Sequence, residues 1–558
     1  MLRPLAVPTL TLTLLFAACD TKKAGSREAA RKEVVGKSNT LFKPEEAKQK
    51  LAVLFPAVDA ADSSGKKKGA VMPVAAAMRT AYSQGGYSPF WVLEEGVTTF
   101  AKSLLTDLDS LRSDGLAPER YGLSGLRKRF DALSGSGGTQ EEAIAFDTAC
   151  TRAYLQAARD LLMGAITTRQ GDSLWFHTND SVWDAPKLLA ATSKGEKYVP
   201  LAAFRSAIPT YKMLRDAHAR FSALAGNNTL QSLKAQVSGK TIDDSLARKI
   251  IRLEAPWVQV FAGDSLSHQG QYIRGFQEYY GLNPTGRADS ATVHLLARRP
   301  DSVLPLIAAN LERLRWMPQS LEAQYVLVDI PLMELFYRRD GRDKFNMRVV
   351  VGKPARQTPA LNADMANVVF SPGWGVPPTI LKNDVLPGIA KRGGSYLAHK
   401  GLHAFDRHGR MVSAGNVTAK NYRNFNFRQL PGARNALGEV KFNLPNAWDI
   451  YLHDTPHRED FVKRYRAKSS GCIRVAKPKE FAEFILTTLE GRDFSPSRID
   501  SIIDTRKTRF ENLKTRIPVH IIYLTAFEDN EAGRLRFLQD VYGRDTRLVA
   551  ALRKAAVL

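Results

Sequence analysis

The sequence predicts an α+β multidomain protein in which a long helical region precedes a mostly β domain. From residue 42 to 255 the apolar residues recur at helical spacing, as at Leu104, Leu108 and Leu111. After residue 321 short apolar runs alternate with turn signals, which is typical of strands. With 558 residues, 44% of them hydrophobic, the chain can bury several cores, and its length predicts roughly three or four domains.

The N-terminus is predicted to carry an export signal. Arg3 precedes the largely apolar run Leu5–Ala18. A basic start, a short apolar stretch and small residues at its end are typical of a secretion signal, too short to span a bilayer. The run leads through Ala-Ala into Cys19, which resembles a bacterial lipobox with Phe16 where Leu is usual. We therefore expect a lipoprotein-type signal peptide at residues 1–18 and a lipid on Cys19. An ordinary cleaved signal peptide is the alternative.

Residues 19–41 are expected to form a flexible tether, because Asp20–Ser38 is rich in Lys, Ala and Ser and lacks aromatic residues. No later segment approaches about eighteen uninterrupted apolar residues, so the sequence predicts no transmembrane helix.

The net charge is +24 at neutral pH. In a cytosolic chain such a charge would suggest nucleic acid as a partner. In an exported chain the available counter-charges are anionic envelope polymers and phospholipid headgroups, so we expect no nucleic acid partner. A merely solubilising basic surface is the other interpretation.

The three cysteines are Cys19, Cys150 and Cys472. If Cys19 carries a lipid, only one disulfide could form, between Cys150 and Cys472. Cys150 lies in a helical pattern, where a lone cysteine is usually a small buried apolar residue. An exported thiol risks oxidation, so Cys472 more plausibly serves chemistry than packing.

The helical region is expected to divide into three parts. Residues 42–255 read as a scaffold domain without a paired nucleophile and base. Tyr272–Leu282 is a short amphipathic helix ending in glycine, and after a turn Asp289 or Ser290 caps a second helix. This pattern resembles the small three-helix peptidoglycan-binding domain, which we assign to residues 256–300. A spacer or a linker hairpin without binding function is the alternative.

A further helix, residues 301–320, is expected to return to the scaffold and to stop at Pro318. Residues 321–526 form the predicted β domain, with a Gly-, Arg- and Asn-rich capping insertion at about 381–440. Residues 527–558 are expected to be helical. The predicted strands lie within Tyr325–Tyr337 (one or two), Asn346–Val351, Ala366–Phe370, Trp448–His453 and Val519–Thr525, with a turn at Arg339–Gly341.

The chemistry is predicted near the end of this domain. Cys472 follows Ser469, Ser470 and Gly471, and His453 lies nineteen residues earlier. A histidine within reach can take the thiol proton and return it, which makes the cysteine a strong nucleophile. The small residues before Cys472 let backbone N–H groups approach a reacting carbonyl, as an oxyanion site requires. The chain is therefore predicted to be a cysteine acyltransferase.

Strand alternation predicts which neighbours share the cleft. Tyr451 and His453 lie on one face of their strand, opposite Ile450 and Leu452, so Asp454 should point away from the imidazole. A backbone carbonyl is then the expected partner of the ring.

Arg474 lies two residues beyond Cys472, on the same side if the segment is extended. We expect it to pair either with a substrate carboxylate or with a structural acid. His399, His403, His408 and His457 fit no standard ligand spacing, and no metal or other cofactor is expected.

The motifs around His453 and Cys472 resemble the active-site signature of L,D-transpeptidases with a YkuD-type catalytic domain. Other members of that fold carry His where Ser470 stands, so this chain follows the Ser-Ser-Gly-Cys variant. The resemblance extends to the large YcbB-like subfamily and covers most of the chain after about residue 70. The blocks that support the subfamily are Asn310–Pro318, Val350–Pro359, Pro372–Pro377 and Gln429–Gly438.

The resemblance implies a specific reaction. Such enzymes attack the third, diamino acid residue of a peptidoglycan tetrapeptide stem, release D-alanine and pass the acyl group to an amine of a second stem, giving a 3→3 crosslink. Carbapenems acylate their cysteine. Trp374 and Tyr451 would line the donor cleft, and the insertion would cap it. The implied partners are stem peptides, a membrane through the lipid on Cys19, and other proteins of cell-wall synthesis, all in the periplasm.

Two other functions stay open. An L,D-carboxypeptidase would use the same acyl-enzyme with water as acceptor, because acceptor choice depends on the exclusion of water from the cleft. A lipid-anchored wall-binding protein would use the helices of residues 256–300 and would not need Cys472. A papain-like peptidase is disfavoured, because there the cysteine precedes the histidine in sequence.

Overall fold

The computed structural model describes residues 33–36, 40–57, 72–179, 181, 183–193, 197–239, 241–259, 270–529 and 534–558. The expected signal peptide, the expected lipidation site Cys19 and most of the tether lie outside these residues. None of the helices described is both long enough and apolar enough to cross a bilayer.

The N-terminal half is a helical scaffold whose apolar faces pack into one core that continues into the β domain. The 24-residue helix α5 begins at a capping box formed by Thr139 and Glu142 and lies in the middle of this core. The scaffold helices are α1 (Pro44–Leu54), α2 (Val74–Gln84), α3 (Thr99–Ser110), α4 (Leu123–Gly135), α5 (Gln140–Met163), α6 (Thr168–Gly171), α7 (Ala185–Ser193), α8 (Pro209–Ala225), α9 (Asn228–Ala235) and α10 (Asp244–Glu254).

The end of the expected tether is ordered, which corrects the prediction of a flexible segment up to residue 41. The strands β1 (Val92–Leu93) and β2 (Gly96–Val97) form a hairpin. Val34 forms a β-bridge with Thr98, and the N–H of Leu41 donates to the Glu94 carbonyl at 2.7 Å. Backbone pairing, which composition does not predict, therefore holds residues 33–36 and the start of 40–57 on this hairpin.

The next helices are α11 (Gln271–Tyr279), α12 (Ser290–Ala297) and α13 (Leu304–Arg315). Asp289 caps α12, accepting from the Thr292 N–H at 2.9 Å, which decides between the two expected capping residues. The buried Gln277 side chain joins α11 to α12 through the Thr292 hydroxyl at 2.9 Å. Since residues 260–269 lie outside the described part, the predicted three-helix arrangement stays a prediction.

Nine strands of the described residues form one sheet in the order β13-β5-β14-β12-β11-β6-β15-β3-β4, and β4 also pairs with β5, so that the sheet curls on itself. Their bounds are β3 (Gln324–Asp329), β4 (Glu334–Arg339), β5 (Arg342–Gly352), β6 (Leu361–Phe370), β11 (Val440–Asn443), β12 (Leu452–His453), β13 (Ala467–Ser469), β14 (Ile473–Val475) and β15 (Arg509–Ile522). Helices α17 (Pro478–Glu483) and α18 (Pro496–Asp504) follow β14.

The strands differ in length from the prediction. The first predicted segment is two strands, β3 and β4, and the turn at Arg339–Gly341 is confirmed, with positive φ at Asp340 and Gly341. Strand β15 begins ten residues before the predicted start, because its polar N-terminal half pairs with β6. The predicted strand Trp448–His453 shortens to β12, because Asn446 accepts hydrogen bonds from the N–H groups of Trp448 and Ile450 and holds them in a loop.

The insertion between β6 and β11 spans residues 371–439 and is more regular than expected. It has its own core, built around Val385, Ile389, Leu397 and Phe427, which explains how it can fold as a separate cap. Its elements are β7 (Trp374–Gly375), α14 (Pro378–Ile380), α15 (Leu386–Arg392), α16 (Ser395–His399), β8 (His403–Phe405), β9 (Met411–Val412) and β10 (Asn426–Gln429), the strands pairing in the order β7-β10-β8-β9.

The expectation of a helical segment at 527–558 is corrected. Strands β16 (Ala526–Asp529) and β17 (Arg534–Phe537) form a hairpin, and only then does helix α19 (Arg544–Lys554) begin. Leu535 and Phe537 are buried against the common core, a tertiary contact that overrides local helix preference.

Helix α13 fastens the scaffold to the β domain. Asn310 donates to the Thr525 hydroxyl at 2.9 Å and accepts from the Thr525 N–H at 2.8 Å. The buried Arg313 pairs with Asp545 of α19 at 2.5 Å. A second junction forms where Trp175 bridges to Ala360. The scaffold and the sheet therefore share a continuous buried interface on the side of β15 and β6.

Candidate active site

The loop that carries Cys472 is held in shape by side chains around it. Ser469 Oγ donates to the Cys472 carbonyl at 2.5 Å and accepts from the Gly471 N–H at 3.1 Å. Thr358 Oγ1 donates to the Gly471 carbonyl at 2.7 Å. Gly471 has φ of 122°, a conformation that other residues adopt only with strain, so glycine is needed at this position.

The thiol of Cys472 has three polar neighbours. Sγ lies 3.5 Å from the carbonyl oxygen of Asp449, and the backbone N–H and the hydroxyl of Tyr451 are also directed at the sulfur. The half-buried position raises the pKa of the thiol, while Tyr451 and nearby Lys441 act in the opposite direction. At neutral pH the resting cysteine is therefore a thiol.

The carbonyl of Asp449 is held in place by a strained turn. Asp449 has φ of 53°, in the left-handed region, and the Asn446 side chain bonds the chain on both sides of it. The indole of Trp448, in the same turn, stacks on Phe176 of the scaffold with ring centroids 4.4 Å apart. The scaffold thus reaches to within one residue of a group that contacts the thiol.

The predicted neighbours of Cys472 lie on the expected face. Strand β12 pairs in parallel with β14, with His453 opposite Arg474. The rings of Tyr451 and His453 are 5.6 Å apart. Ile450 and Leu452 are buried on the other side. Parallel pairing therefore sets Tyr451, His453, Cys472 and Arg474 along one face of two adjacent strands.

The imidazole of His453 is oriented by a backbone group. Its Nδ1 contacts the carbonyl of Asp454, as strand alternation suggested, which leaves Nε2 as the acceptor. The Asp454 carboxylate points elsewhere, to the N–H groups of Glu439 and Thr455 and to Arg458 at 2.7 Å. Burial, with the positive charge of Arg474, lowers the pKa of His453 to about 3. The ring is neutral at pH 7.

No hydrogen bond joins Cys472 to His453 among the described residues. The thiol is instead directed to Asp449 and Tyr451. A neutral imidazole beside a protonated thiol can act as a general base, but it cannot form a resting thiolate–imidazolium pair.

Arg474 has a protein acid nearby. Its Nη1 lies 3.6 Å from Asp460 Oδ2, and Asp460 also binds Lys463 and Lys468 at 2.9 Å each. Of the two expected partners, the structural acid is therefore present, at the long end of ion-pair distances. Because three cations surround one carboxylate, Asp460 does not fully neutralise the positive charge of Arg474.

Lys441 is a site residue that sequence reasoning missed. It lies opposite His453 on strand β11, with Nζ 4.2 Å from the centroid of the Tyr451 ring. Burial lowers its pKa, while Cys472 and Asp449 act in the opposite direction. The sequence does alternate apolar and polar residues at Val440, Lys441, Phe442 and Asn443, which is typical of a strand. Only the pairing of β11 with β12, however, shows that Lys441 faces the cleft.

The backbone donors around Cys472 differ from the prediction. The Gly471 N–H, one of the expected oxyanion donors, donates to Ser469 Oγ at 3.1 Å. The N–H groups of Ser470 and Cys472 bond no other described residue. These two donors, rather than that of Gly471, could receive a developing oxyanion.

The insertion reaches the site at two points. The indole N–H of Trp374 contacts the hydroxyl of Tyr451, so the two aromatic residues named from the sequence lie together. Arg356 binds both carboxylate oxygens of Asp384 in the insertion, at 2.5 and 2.9 Å, and also donates to Ser470 Oγ at 3.1 Å. Arg356 thereby connects the cap to the loop that carries Cys472.

Cys150 and Cys472 are both free, so the one disulfide considered from the sequence does not form. Cys150 is fully buried in the scaffold. Across the described ranges, no three or more His, Cys, Asp or Glu side chains are gathered so that they could hold a metal ion.

Comparison with known families finds matches in two segments of the chain. Residues 323–519 match the family model described as the L,D-transpeptidase catalytic domain, YkuD. This segment is a YkuD-type L,D-transpeptidase catalytic domain. Residues 76–217 match a model described as a scaffold domain. The predicted fold class, a helical scaffold followed by a mostly β YkuD-type domain, is confirmed.

One curated relative resembles part of the chain. A Haemophilus influenzae protein whose name gives it provisionally as an L,D-transpeptidase is 32% identical over 253 residues, which are 45% of this chain. The chain spans about half the length of this curated relative, 50%.

Two solved structures are similar to a part of the chain. The catalytic domain of an Enterococcus faecium L,D-transpeptidase acylated by ertapenem is 13% identical and covers 36% of this chain and 98% of its own, with a TM-score of 0.18. An L,D-transpeptidase from Mycobacterium smegmatis is 14% identical and covers 37% and 61%, also with a TM-score of 0.18. No residue of this chain is assigned from them.

Proposed function

We propose that this protein is a peptidoglycan L,D-transpeptidase that joins stem peptides by 3→3 crosslinks through a thioester on Cys472. The observation that carries the proposal is the pairing of β12 with β14 inside a YkuD-type domain, which gathers Cys472, Tyr451, His453 and Arg474 on one face. We further propose membership of the large YcbB-like subfamily, which the scaffold match supports.

In the acylation step Cys472 gives its thiol proton to Nε2 of His453, and its sulfur attacks the carbonyl carbon of the third, diamino acid residue of a tetrapeptide stem. The N–H groups of Ser470 and Cys472 receive the oxyanion. The bond to the terminal D-alanine breaks, and the imidazolium returns its proton to the leaving amine. The products are a thioester on Cys472 and free D-alanine.

Before this step the thiol has to leave the Asp449 carbonyl. Rotation about the Cα–Cβ bond of Cys472 can turn the S–H from Asp449 toward His453, which lies on the same face. During the attack, Lys441 and the Tyr451 hydroxyl stabilise the negative charge on sulfur. Both then favour the transition state over the neutral resting thiol.

In the second step the neutral amine of another stem attacks the thioester. His453 takes the surplus proton, the C–S bond breaks, and the thiolate recovers a proton from the imidazolium. The cap, held near the nucleophile loop by Arg356 and Asp384, supports transfer by restricting the entry of water. With water as acceptor the same intermediate would give an L,D-carboxypeptidase.

We propose the bacterial cell envelope, on the periplasmic side and with a lipid on Cys19, as the place of this reaction. The reaction implies peptidoglycan as substrate, and the envelope is where that polymer lies. Intact mass of the full-length protein would show whether Cys19 carries the lipid.

Intact mass after exposure to meropenem tests the acylation chemistry. We expect one drug-sized adduct on the wild type and on Cys150→Ala, and none on Cys472→Ala. Cys150 is the matched control because it is the other cysteine of the described chain, and it is buried. An adduct that persists in Cys472→Ala would overturn the proposed nucleophile and place acylation on another residue. No adduct on any variant would favour a non-catalytic wall-binding protein.

Product analysis tests the acceptor. We expect purified protein incubated with disaccharide tetrapeptide to yield crosslinked dimers by mass spectrometry. Disaccharide tripeptide alone would show hydrolysis and contradict the proposed transfer.

A further inference from the structure

A second concave site lies between helix α11 and the edge of the sheet, apart from Cys472. Its volume is about 1090 Å³, and none of the residues assigned to catalysis lines it. The walls come from α11, the turn between β3 and β4, the loop Val462–Arg466, and β17 with the residues after it. We call it the basic cleft, because of the side chains it contains.

Its charge is strongly unbalanced. Six basic residues line the basic cleft, against the two acidic residues Glu278 and Glu334. The six are Arg274, Arg348, Lys463, Arg464, Arg466 and Arg536. They also lie close to one another: burial and the neighbouring Arg536 lower the pKa of Arg464, and burial and Arg348 lower the pKa of Arg466, while Glu278 and Glu334 respectively act in the opposite direction. Gathering like charges in a concave surface is unfavourable unless an anion binds there.

The guanidinium groups are held in place by backbone carbonyls. Arg466 donates to the carbonyls of Met333 and Val349, at 2.8 and 3.0 Å. Arg464 donates to the carbonyls of Gly281 and Leu282 through Nη2. These bonds connect the loop Val462–Arg466 to the sheet on one side and to the end of α11 on the other.

Donors remain available for a ligand. Arg348 donates through Nη1 to the Phe461 carbonyl at 3.2 Å, and its Nε and Nη2 bond no other described residue. Arg348 lies opposite Glu334 on strand β4, but no acid in the described part of the chain comes within ion-pair distance of Arg274, Arg348 or Arg464. Fixed, planar guanidinium groups with spare donors suit carboxylates, which they bind in pairs of parallel hydrogen bonds.

The basic cleft also offers apolar contacts. Val462 is 79% exposed and Tyr465 is 41% exposed, both on the loop that carries three of the basic residues. Exposed large apolar side chains beside fixed cations fit a ligand that has both carboxylates and apolar surface. A concave wall with these two features fits a polymer segment better than a flat lipid surface.

We propose that the basic cleft binds a carboxylate-bearing segment of uncrosslinked peptidoglycan, as a site separate from the stem at Cys472. The choice of this polymer rests on the proposed function. Arg466 lies six residues before Cys472, so the two sites are at most about 20 Å apart along the connecting chain. Binding in the cleft would raise the local concentration of stems at the nucleophile without contributing to the chemical step.

Co-sedimentation with purified sacculi, stripped of phosphate polymers, tests the proposal. The full chain is used with Cys472→Ala, so that the result is independent of turnover and of whether the wild type is acylated. The test variant adds Arg274→Gln and Arg348→Gln, both exposed in the cleft. The matched control adds Arg112→Gln and Arg127→Gln, which remove the same charge from exposed scaffold positions. A third variant adds Glu278→Gln.

We expect the cleft variant to bind sacculi at least about 10-fold more weakly than its parent, with the scaffold control nearly unchanged. Glu278→Gln should bind more tightly, a gain that no misfolded variant would give. Amidation of the sacculus carboxylates should abolish these differences. Equal losses in cleft and control variants, an unchanged Glu278→Gln, or a difference seen on phosphatidylglycerol vesicles and not on sacculi would each overturn the proposal.

Discussion

The Sγ of Cys472 lies 3.5 Å from the carbonyl oxygen of Asp449, a residue with φ of 53°. Cys472 thus rests as a thiol that contacts the backbone, near an imidazole that burial keeps neutral. This geometry favours activation by general-base transfer at the moment of attack over a pre-formed ion pair.

The pH dependence of acylation follows from these two groups. Because burial lowers the pKa of His453 to about 3, the base stays unprotonated well below the ordinary histidine pKa of 6.5. We expect the rate of carbapenem acylation to vary by less than about 3-fold between pH 5 and 8, measured by stopped-flow fluorescence. His453→Gln should instead show an acylation rate that rises with pH, since only the fraction of Cys472 that is already ionised could react. An acid limb near pH 6.5 in the wild type would contradict a neutral His453.

Lys441 is expected to lower the free energy of the thiolate. Its ammonium lies over the Tyr451 ring and favours the ionised form of Cys472. Lys441→Met should raise the pKa of the thiol by up to about one unit and slow acylation at pH 7 by roughly 3- to 10-fold. Lys212→Met, exposed on α8, is the control for loss of charge. Equal rates for Lys441→Met and wild type would show that the thiolate does not depend on this lysine.

Gly471 is needed for its backbone conformation and not for space. A methyl group there would meet only ordinary contacts, the nearest at 3.8 Å, but φ is 122°. Gly471→Ala should destabilise the nucleophile loop by about 1–3 kcal/mol and slow acylation strongly. Gly432→Ala is the matched control, with φ of 146°, open space around it and a position in the cap. A comparable loss of acylation in both variants would argue against a special role for Gly471.

Arg356 is expected to couple the cap to the nucleophile loop. Removing its partner in Asp384→Asn weakens the bidentate pair but leaves the bond from Arg356 to Ser470. Since Asp384 is partly exposed, we expect a small change in Tm and a larger increase in proteolytic cleavage within residues 371–439. Arg410→Gln, which breaks an exposed pair inside the cap, should leave the cleavage pattern unchanged. If both variants are cut alike, the coupling is absent.

The buried pair between Arg313 and Asp545 should be important for the junction of the two halves. Arg313→Met leaves the Asp545 carboxylate buried without its cation and should lower the free energy of unfolding by about 3–5 kcal/mol. Arg313→Met with Asp545→Leu should recover a large part of this loss in a urea titration. A double variant as unstable as the single one would show that packing of Arg313, and not its charge, matters.

Much of the candidate catalytic face could be predicted from residue order. Alternation along a strand is a local property, so the shared face of Tyr451 and His453 and the outward turn of Asp454 both follow from the sequence. Helix capping is local as well, and Asp289 was one of the two residues expected to cap the N-terminus of α12. Strand lengths were less predictable, since β15 and the ordered part of the tether depend on partners distant in sequence.

By itself the sequence determined the fold class and the family of the catalytic domain, and it predicted Cys472 and His453 as the catalytic pair, because strands, turns and the residues around a cysteine are short-range patterns. Only the tertiary structure decided that the thiol rests on Asp449, that Lys441 faces it, that the Gly471 N–H is occupied, and that six cations meet beside α11. Each of these depends on strand pairing or on loop packing between segments far apart in the chain, and no local pattern encodes such distances.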